Sequence, residues 1–208
     1  MKELIDKYTK LYKAALTDNK ISDAEAKTAA FEQRLTQMYN SETFVQHNVY
    51  PSMNVLLVYA VIAMCIELKK HGFSDEDTIL ITNSAFEKRR NSFRFLYKII
   101  NNLPFSYKIA EKWNVYDHEK RLKDGSITYD FFNVSEGKLE YRISRCMYIE
   151  MFEYYGIRSL CKIFCLTDEY AYAHIDKNIG FIRHSDLCCG DCCHDEVFDK
   201  KFLSNRQR

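Results

Sequence analysis

The stretch ITYDFFNVSEGKLEYRISRC, residues 127–146, decides the fold class of this 208-residue chain. Apolar and aromatic residues occupy every second position on both sides of the Ser135-Glu136-Gly137 segment, which is the period of a β-strand. They are Ile127, Tyr129 and Phe131 before that segment, and Leu139, Tyr141 and Ile143 after it. The two runs predict an antiparallel hairpin that turns at residues 135–137.

The sequence that follows the hairpin predicts two helices and then two more strands. The first helix spans residues 146–155 and stops at Gly156, and the second runs from Ser159 to about Ala173. Residues 177–187 and 193–202 are the two further candidate strands. The order strand-strand-helix-helix-strand-strand predicts an antiparallel sheet with helices packed on one face.

The sequence before the hairpin predicts helices only. Residues 4–16 carry an apolar stripe at helical spacing, and a second helix is expected after Ser22, with Glu25 completing a capping box. Residues 53–70 predict a third helix, with Pro51 in its first turn and Gly72 as its stop. A fourth is expected from Ser74 to about residue 100. The prediction is an α+β fold with a helical part, residues 1–120, and a cysteine-rich α+β part, residues 121–208, within one compact domain.

Charge and hydropathy exclude several classes of partner. Thirty basic and 29 acidic residues give a net charge of +1, so no overall field attracts nucleic acid or anionic lipid. The longest apolar stretch, Met53–Ile66, is shorter than the roughly 18 to 20 residues that cross a bilayer, so we expect a buried helix and no membrane partner. Without a signal peptide the cytoplasm is the expected compartment, where the eight cysteines stay reduced. They are then reactive thiols, metal ligands or buried apolar residues.

Two groups of cysteines are candidate sites. Cys161, Cys165, Asp168 and Tyr172 follow one another at i, i+4, i+7 and i+11, which places them along one stripe of a helix. The alternative is that both thiols are buried small hydrophobes and Asp168 is a surface residue. The second group lies at residues 188–195, where zinc or an iron–sulfur centre is an alternative to a tight turn around Gly190. Its metal ligands would be Cys189, Cys192, Cys193 and His194.

Arg145, Arg183 and His184 are further candidates in the same region. An arginine can hold a carboxylate through two parallel hydrogen bonds, and a histidine exchanges protons near neutral pH. Taken singly, each of the three is better explained as a salt-bridge partner or a surface residue.

The C-terminal segments together resemble the L-2-amino-thiazoline-4-carboxylic acid hydrolase family. The segments that carry the resemblance cover roughly the last third of the chain. They are Arg145-Cys146 after a strand, Gly156 after the next helix, Phe164-Cys165-Leu-Thr-Asp168, Arg183, and the turn Gly190-Asp191-Cys192-Cys193 before a strand that ends near Phe198.

The resemblance implies a hydrolase of non-peptide C–N bonds that opens a small cyclic amidine or thiazoline carboxylic acid to a carbamoyl amino acid, with cleavage of the ring C–S bond as the other possibility. It implies Cys165 as the first candidate nucleophile, Cys146 as the second, and Asp168 as general base or as ion-pair partner of the amidine. Substrate binding would fall to Arg183, Asp191 and Cys193. A small-molecule substrate is the expected partner and no cofactor is expected, while a homo-oligomer is left open. The alternatives are a non-catalytic zinc or iron–sulfur module and a small-molecule sensor that keeps the pocket.

Overall fold

A computed structural model describes residues 2–41 and 50–202 of the chain. Its sheet has four antiparallel strands in the order β1-β2-β4-β3, namely β1 Ile127–Ser135, β2 Lys138–Cys146, β3 Ile179–Ser185 and β4 Cys193–Asp199. The predicted hairpin is confirmed, because β1 pairs with β2 and Ser135 lies opposite Lys138. Gly137 closes the turn at φ +72°, a left-handed conformation that disfavours other residues.

Replacing Gly137 by alanine is expected to destabilise the fold. A left-handed backbone costs a non-glycine residue about 1–2 kcal/mol, and a Cβ at this position would clash with the Phe202 ring. Urea denaturation would measure the loss, with Glu136→Ala, at the neighbouring turn position, as the control. Equal stability of the two variants would contradict this account of the turn.

A bulge in β1 alters the predicted alternation. The register shifts between Tyr129 and Phe131, so that Tyr129 pairs with Ile143 while Phe132 pairs with Tyr141. Tyr129 and Phe132 therefore share the face that the helices cover, and Phe131 lies on the other face beside His194. Strict alternation had grouped Phe131 with Tyr129, and this was wrong, since an extra residue in one strand reverses the faces beyond it.

The helices lie before the hairpin and between β2 and β3. Within the described residues they are α1 Lys2–Asp18, α2 Ala24–Tyr39, α3 Ser52–Lys70, α4 Asp75–Asn91, α5 Arg94–Asn101, α6 Ser106–Asp124, α7 Met147–Tyr154 and α8 Lys162–Ala173, with a 3-10 turn at Arg158–Cys161. The α+β fold with a helical N-terminal part is confirmed. Ser74 caps α4 as predicted, because its hydroxyl accepts a hydrogen bond from the Asp77 amide at 3.1 Å.

Two local predictions were wrong, and one helix was not predicted. The N-cap of α2 is Asp23, not Ser22, and it makes no side-chain cap hydrogen bond. The helix expected from Ser74 to about residue 100 is broken into α4 and α5, where the Ser92 hydroxyl donates to the Arg89 carbonyl and competes with the helical pattern. Helix α6 was not predicted, because it is rich in charged residues and carries no continuous apolar stripe.

Helix α3 forms the centre of the larger apolar core. By length and composition this 19-residue helix could cross a membrane, but 72% of its most apolar window is buried within the fold. It packs against α2, α4 and α7. The same core contains Phe152, Cys161 and Cys193, so it joins the helical part to the cysteine-rich part. Burial thus places α3 in the interior of the fold.

Candidate functional site

A buried ion pair connects the two C-terminal strands. Arg183 on β3 donates from Nε and Nη2 to the two carboxylate oxygens of Asp195 on β4, both at 2.8 Å. The two residues face each other in the register, and Asp195 is only 1% exposed. The Tyr141 hydroxyl donates to the same carboxylate at 2.9 Å. Burial raises the pKa of Tyr141 well above its usual value, with the Asp195 charge adding to the effect, so this donor stays protonated.

Helix α8 lies across this ion pair and brings the predicted stripe to it. Arg183 Nη1 donates to the Cys165 carbonyl at 3.0 Å, and Nη2 lies 3.3 Å from the Asp168 carboxylate. One turn further on, the Tyr172 ring stacks on Phe181 of β3 at 4.4 Å. Burial alone would lower the pKa of Arg183, but the hydrogen bonds and charge of Asp195 outweigh it and the pKa is raised. Arg183 is thus a permanent cation beneath α8.

Three thiols meet beside this cation. The sulfur atoms of Cys161, Cys165 and Cys188 all lie within 4.8 Å of one another, and Cys165 Sγ is 3.7 Å from Cys188 Sγ. Hydrogen bonds from the Cys161 and Cys188 thiols lower the pKa of Cys165, and the Arg183 charge adds to that effect. The hydrogen bond with Cys165 raises the pKa of Cys161. The pKa of Cys188 is raised as well, so these directions favour Cys165 as the thiol of the cluster that ionises first.

Asp168 lies at the open rim of the same cluster. Its side chain is 55% exposed, yet the surrounding walls desolvate the carboxyl group and raise its pKa to about 7, against the opposing effect of Arg183. A carboxyl group with this pKa can accept or donate a proton near neutral pH.

Cys146 and Asp191 line a neighbouring cavity of about 260 Å³. Burial raises the pKa of Cys146 to about 11, although the amides of Tyr148 and Ile149 at the start of α7 lower it. The two arginines of this cavity are already paired, Arg145 with Glu150 and Arg158 with Glu153. A second cavity, of about 430 Å³, lies along α1 and is lined by none of the predicted site residues.

The structure brings some of the predicted site residues together and places others elsewhere. It brings together Cys165, Asp168, Arg183 and Cys193, whose sulfur lies 3.6 Å from the Asp195 carboxylate. Cys146 lies at the edge of this group, and Asp191 lines the adjacent cavity instead. Arg183 is only 10% exposed and its guanidinium is occupied by protein acceptors, so it is not free to clamp a substrate carboxylate.

The alternative metal ligands Cys189, Cys192, Cys193 and His194 are not brought together. Successive residues of a strand face opposite sides of the sheet, so Cys193 is buried beneath α8 while His194 lies on the outer face, 2.8 Å from Glu140. There His184, His194 and Glu196 form a group of close ligand atoms. The Lys138 ammonium pairs with both Glu140 and Glu196, which makes this a compensated ion-pair network.

Sequence reasoning missed Asp195 and Tyr141 as parts of the site. The sequence did carry a signal for Asp195, because it occupies an inward position of β4 between Cys193 and the fully buried Val197. A carboxylate on an apolar face requires a cation, and Arg183 lies opposite on the next strand. For the approach of Cys188 to α8 the sequence carried no comparable signal.

A sequence model of the L-2-amino-thiazoline-4-carboxylic acid hydrolase family matches residues 53–195. The match covers more than half of the chain, and it includes nearly all of helix α3, strands β1 to β3 with the start of β4, and all three thiols of the cluster. It confirms the resemblance and extends it well beyond the C-terminal third. No curated protein and no solved structure matches the chain.

Proposed function

Since the chain belongs to the L-2-amino-thiazoline-4-carboxylic acid hydrolase family, we propose that it opens a small cyclic amidine or thiazoline carboxylic acid by hydrolysis. The product would be a carbamoyl amino acid. The observation that supports this most is that Cys165 and Asp168 on helix α8 both contact the Arg183 guanidinium. A thiolate, an acid–base group and a fixed cation are the groups that such a reaction requires. We place the protein in the cytoplasm, where these thiols stay reduced.

The first step is attack by the Cys165 thiolate on the amidine carbon, which lies between nitrogen and sulfur in the ring. The new carbon–sulfur bond forms a tetrahedral centre, and collapse of that centre breaks the bond between carbon and ring sulfur. The ring sulfur leaves as a thiolate and takes up a proton. The whole substrate then remains on Cys165 as an isothiourea, a covalent intermediate that divides one difficult reaction into two easier ones.

The second step is hydrolysis of that intermediate. Asp168, three residues from Cys165 on the same helix, takes a proton from water, and the oxygen attacks the same carbon. Collapse expels the Cys165 thiolate and leaves a urea group on the amino acid. The balance is one water consumed for each substrate opened. Arg183 acts through its neighbours, because its positive charge favours the thiolate and its contact positions the Asp168 carboxylate.

Incubation with 2-amino-thiazoline-4-carboxylate tests the proposed reaction. The reduced full-length chain would be mixed with this compound under anaerobic conditions, and products would be read by mass spectrometry. We expect a product heavier than the substrate by one water molecule, with a free thiol. If the substrate is bound and recovered unchanged, the protein is a sensor with the family's pocket. If neither binding nor product is seen, the substrate class is wrong.

The turnover rate is expected to depend on pH through Asp168. The pKa of this carboxyl is about 7, and only its deprotonated form can accept a proton from water. The rate should therefore rise with pH through the neutral region and level off above it. Asp168→Asn should abolish this rise. Glu169→Gln is the matched control, because Glu169 is the adjacent carboxylate and also contacts Arg183. A wild-type profile that is flat around neutral pH would contradict the role of Asp168.

A further inference from the structure

The three-thiol cluster of Cys161, Cys165 and Cys188 has the dimensions of a thiolate metal site. In a tetrahedral site, zinc–sulfur bonds of about 2.3 Å place two sulfur atoms about 3.8 Å apart. The Cys165 and Cys188 sulfur atoms are 3.7 Å apart, and the third lies within 4.8 Å of both. All eight cysteines are free thiols, so no disulfide occupies these atoms.

The backbone at each of the three cysteines is held in place by secondary structure or by hydrogen bonds. Cys161 is 2% exposed at the end of the 3-10 turn, and Cys165 follows one helical turn later. Cys188 lies in the loop between β3 and β4. Arg158 fixes that loop from outside, since its Nη2 donates to the Leu187 carbonyl at 2.6 Å and to the Gly190 carbonyl at 3.2 Å. This support lowers the entropic cost of gathering three ligands.

The charge around the cluster suits a soft divalent cation. Three thiolates and one divalent ion carry a net negative charge, and the Arg183 guanidinium, which donates to the Cys165 carbonyl, compensates it. Sulfur ligands select Zn²⁺ or Cd²⁺ over Mg²⁺ and Ca²⁺, which prefer oxygen.

We propose that Cys161, Cys165 and Cys188 bind one soft metal ion such as Zn²⁺, and that this binding reversibly inhibits the protein. A metal-bound Cys165 sulfur shares its electron pair with the ion and cannot attack the amidine carbon. The proposed inhibition rests on the proposed function, whereas the proposed metal site rests on the geometry of the thiols alone. The cluster would thus couple turnover to the level of free soft metal.

Cadmium titration tests the site without any substrate. The reduced full-length chain would be titrated anaerobically with Cd²⁺, and the sulfur-to-cadmium charge-transfer absorption would be followed. We expect saturation at one equivalent, with loss of that tight equivalent in Cys161→Ser and in Cys188→Ser. The controls are Cys189→Ser, next to Cys188 but exposed, and Cys65→Ser, buried in α3. No tight equivalent in the wild type, or equal loss in all four variants, would overturn the site.

Turnover measurements test the inhibition. One equivalent of Zn²⁺ is expected to suppress hydrolysis of 2-amino-thiazoline-4-carboxylate, and a chelator should restore it. If the chelator abolishes turnover and zinc restores it, the metal assists the reaction and the inhibitory role is overturned. Absence of turnover in both states would overturn the proposed function, while the cadmium titration would still decide the metal site.

Discussion

Cys165→Ser is expected to lower turnover of 2-amino-thiazoline-4-carboxylate by on the order of a thousandfold or more, as for other removed nucleophiles. The physical reason is the loss of a polarisable thiolate that the neighbouring thiols and Arg183 stabilise. A serine hydroxyl is not ionised by these contacts. The substitution is nearly isosteric and the residue is half-buried, so the melting temperature should change little.

The control for Cys165→Ser is Cys189→Ser, which removes an exposed thiol from the nearby loop. It is expected to leave the rate unchanged. Cys146→Ser is the second comparison, because burial raises the pKa of Cys146 and disfavours its thiolate. If Cys165→Ser keeps the wild-type rate while Cys146→Ser loses it, the nucleophile is Cys146 and the assignment of Cys165 is wrong.

Asp195→Ala is expected to destabilise the fold by about 3–5 kcal/mol, the cost of leaving a buried charge without its partner. Asp195 is 1% exposed and accepts both parallel hydrogen bonds from Arg183. Truncation leaves that guanidinium with weaker acceptors and leaves the Tyr141 hydroxyl without a partner. Urea denaturation would measure the free energy of unfolding.

Glu196→Gln is the matched control for Asp195→Ala. Glu196 is the next residue of β4 but lies on the outer face, where its ion pair with Lys138 and its hydrogen bond with His184 are partly solvated. Such pairs contribute about 0–1 kcal/mol. The double variant Arg183→Met/Asp195→Leu removes both charges and should recover much of the lost stability. If Asp195→Ala costs no more than Glu196→Gln, the buried pair does not hold the two strands together.

Local pattern predicted most of the sheet and the two helices that carry the site. Alternation and the Gly137 turn predicted the hairpin, and the spacing from Cys161 to Tyr172 predicted which side chains share one face of α8. The bulge at Tyr129 was not predictable, because no glycine or proline marks it. Helix α6 was not predicted for a related reason. Only Ser106, Tyr107 and Ala110 of its 19 residues are buried, so its apolar residues show only a weak helical period in the sequence.

The contacts that build the site are long-range, and this limits what the sequence predicts. Cys188 is 23 residues from Cys165, and their approach depends on a loop that Arg158 holds. Arg183 was predicted to bind the substrate carboxylate, and it illustrates the same limit. The pairing of β3 with β4 places its guanidinium against the Asp195 carboxylate instead. The separation of Cys193 from His194 was predictable, since the strand from residue 193 was itself predicted and its alternation places them on opposite faces.

Rapid-quench peptide mass spectrometry tests the central claim most directly. Asp168→Asn should slow hydrolysis of the intermediate more than its formation, so the covalent adduct should accumulate when this variant meets 2-amino-thiazoline-4-carboxylate. We predict an added mass equal to the whole substrate on the peptide that contains Cys165, and none in Cys165→Ser/Asp168→Asn. An adduct on Cys146 or on another cysteine, or wild-type turnover by the double variant, would contradict the claim that Cys165 is the nucleophile.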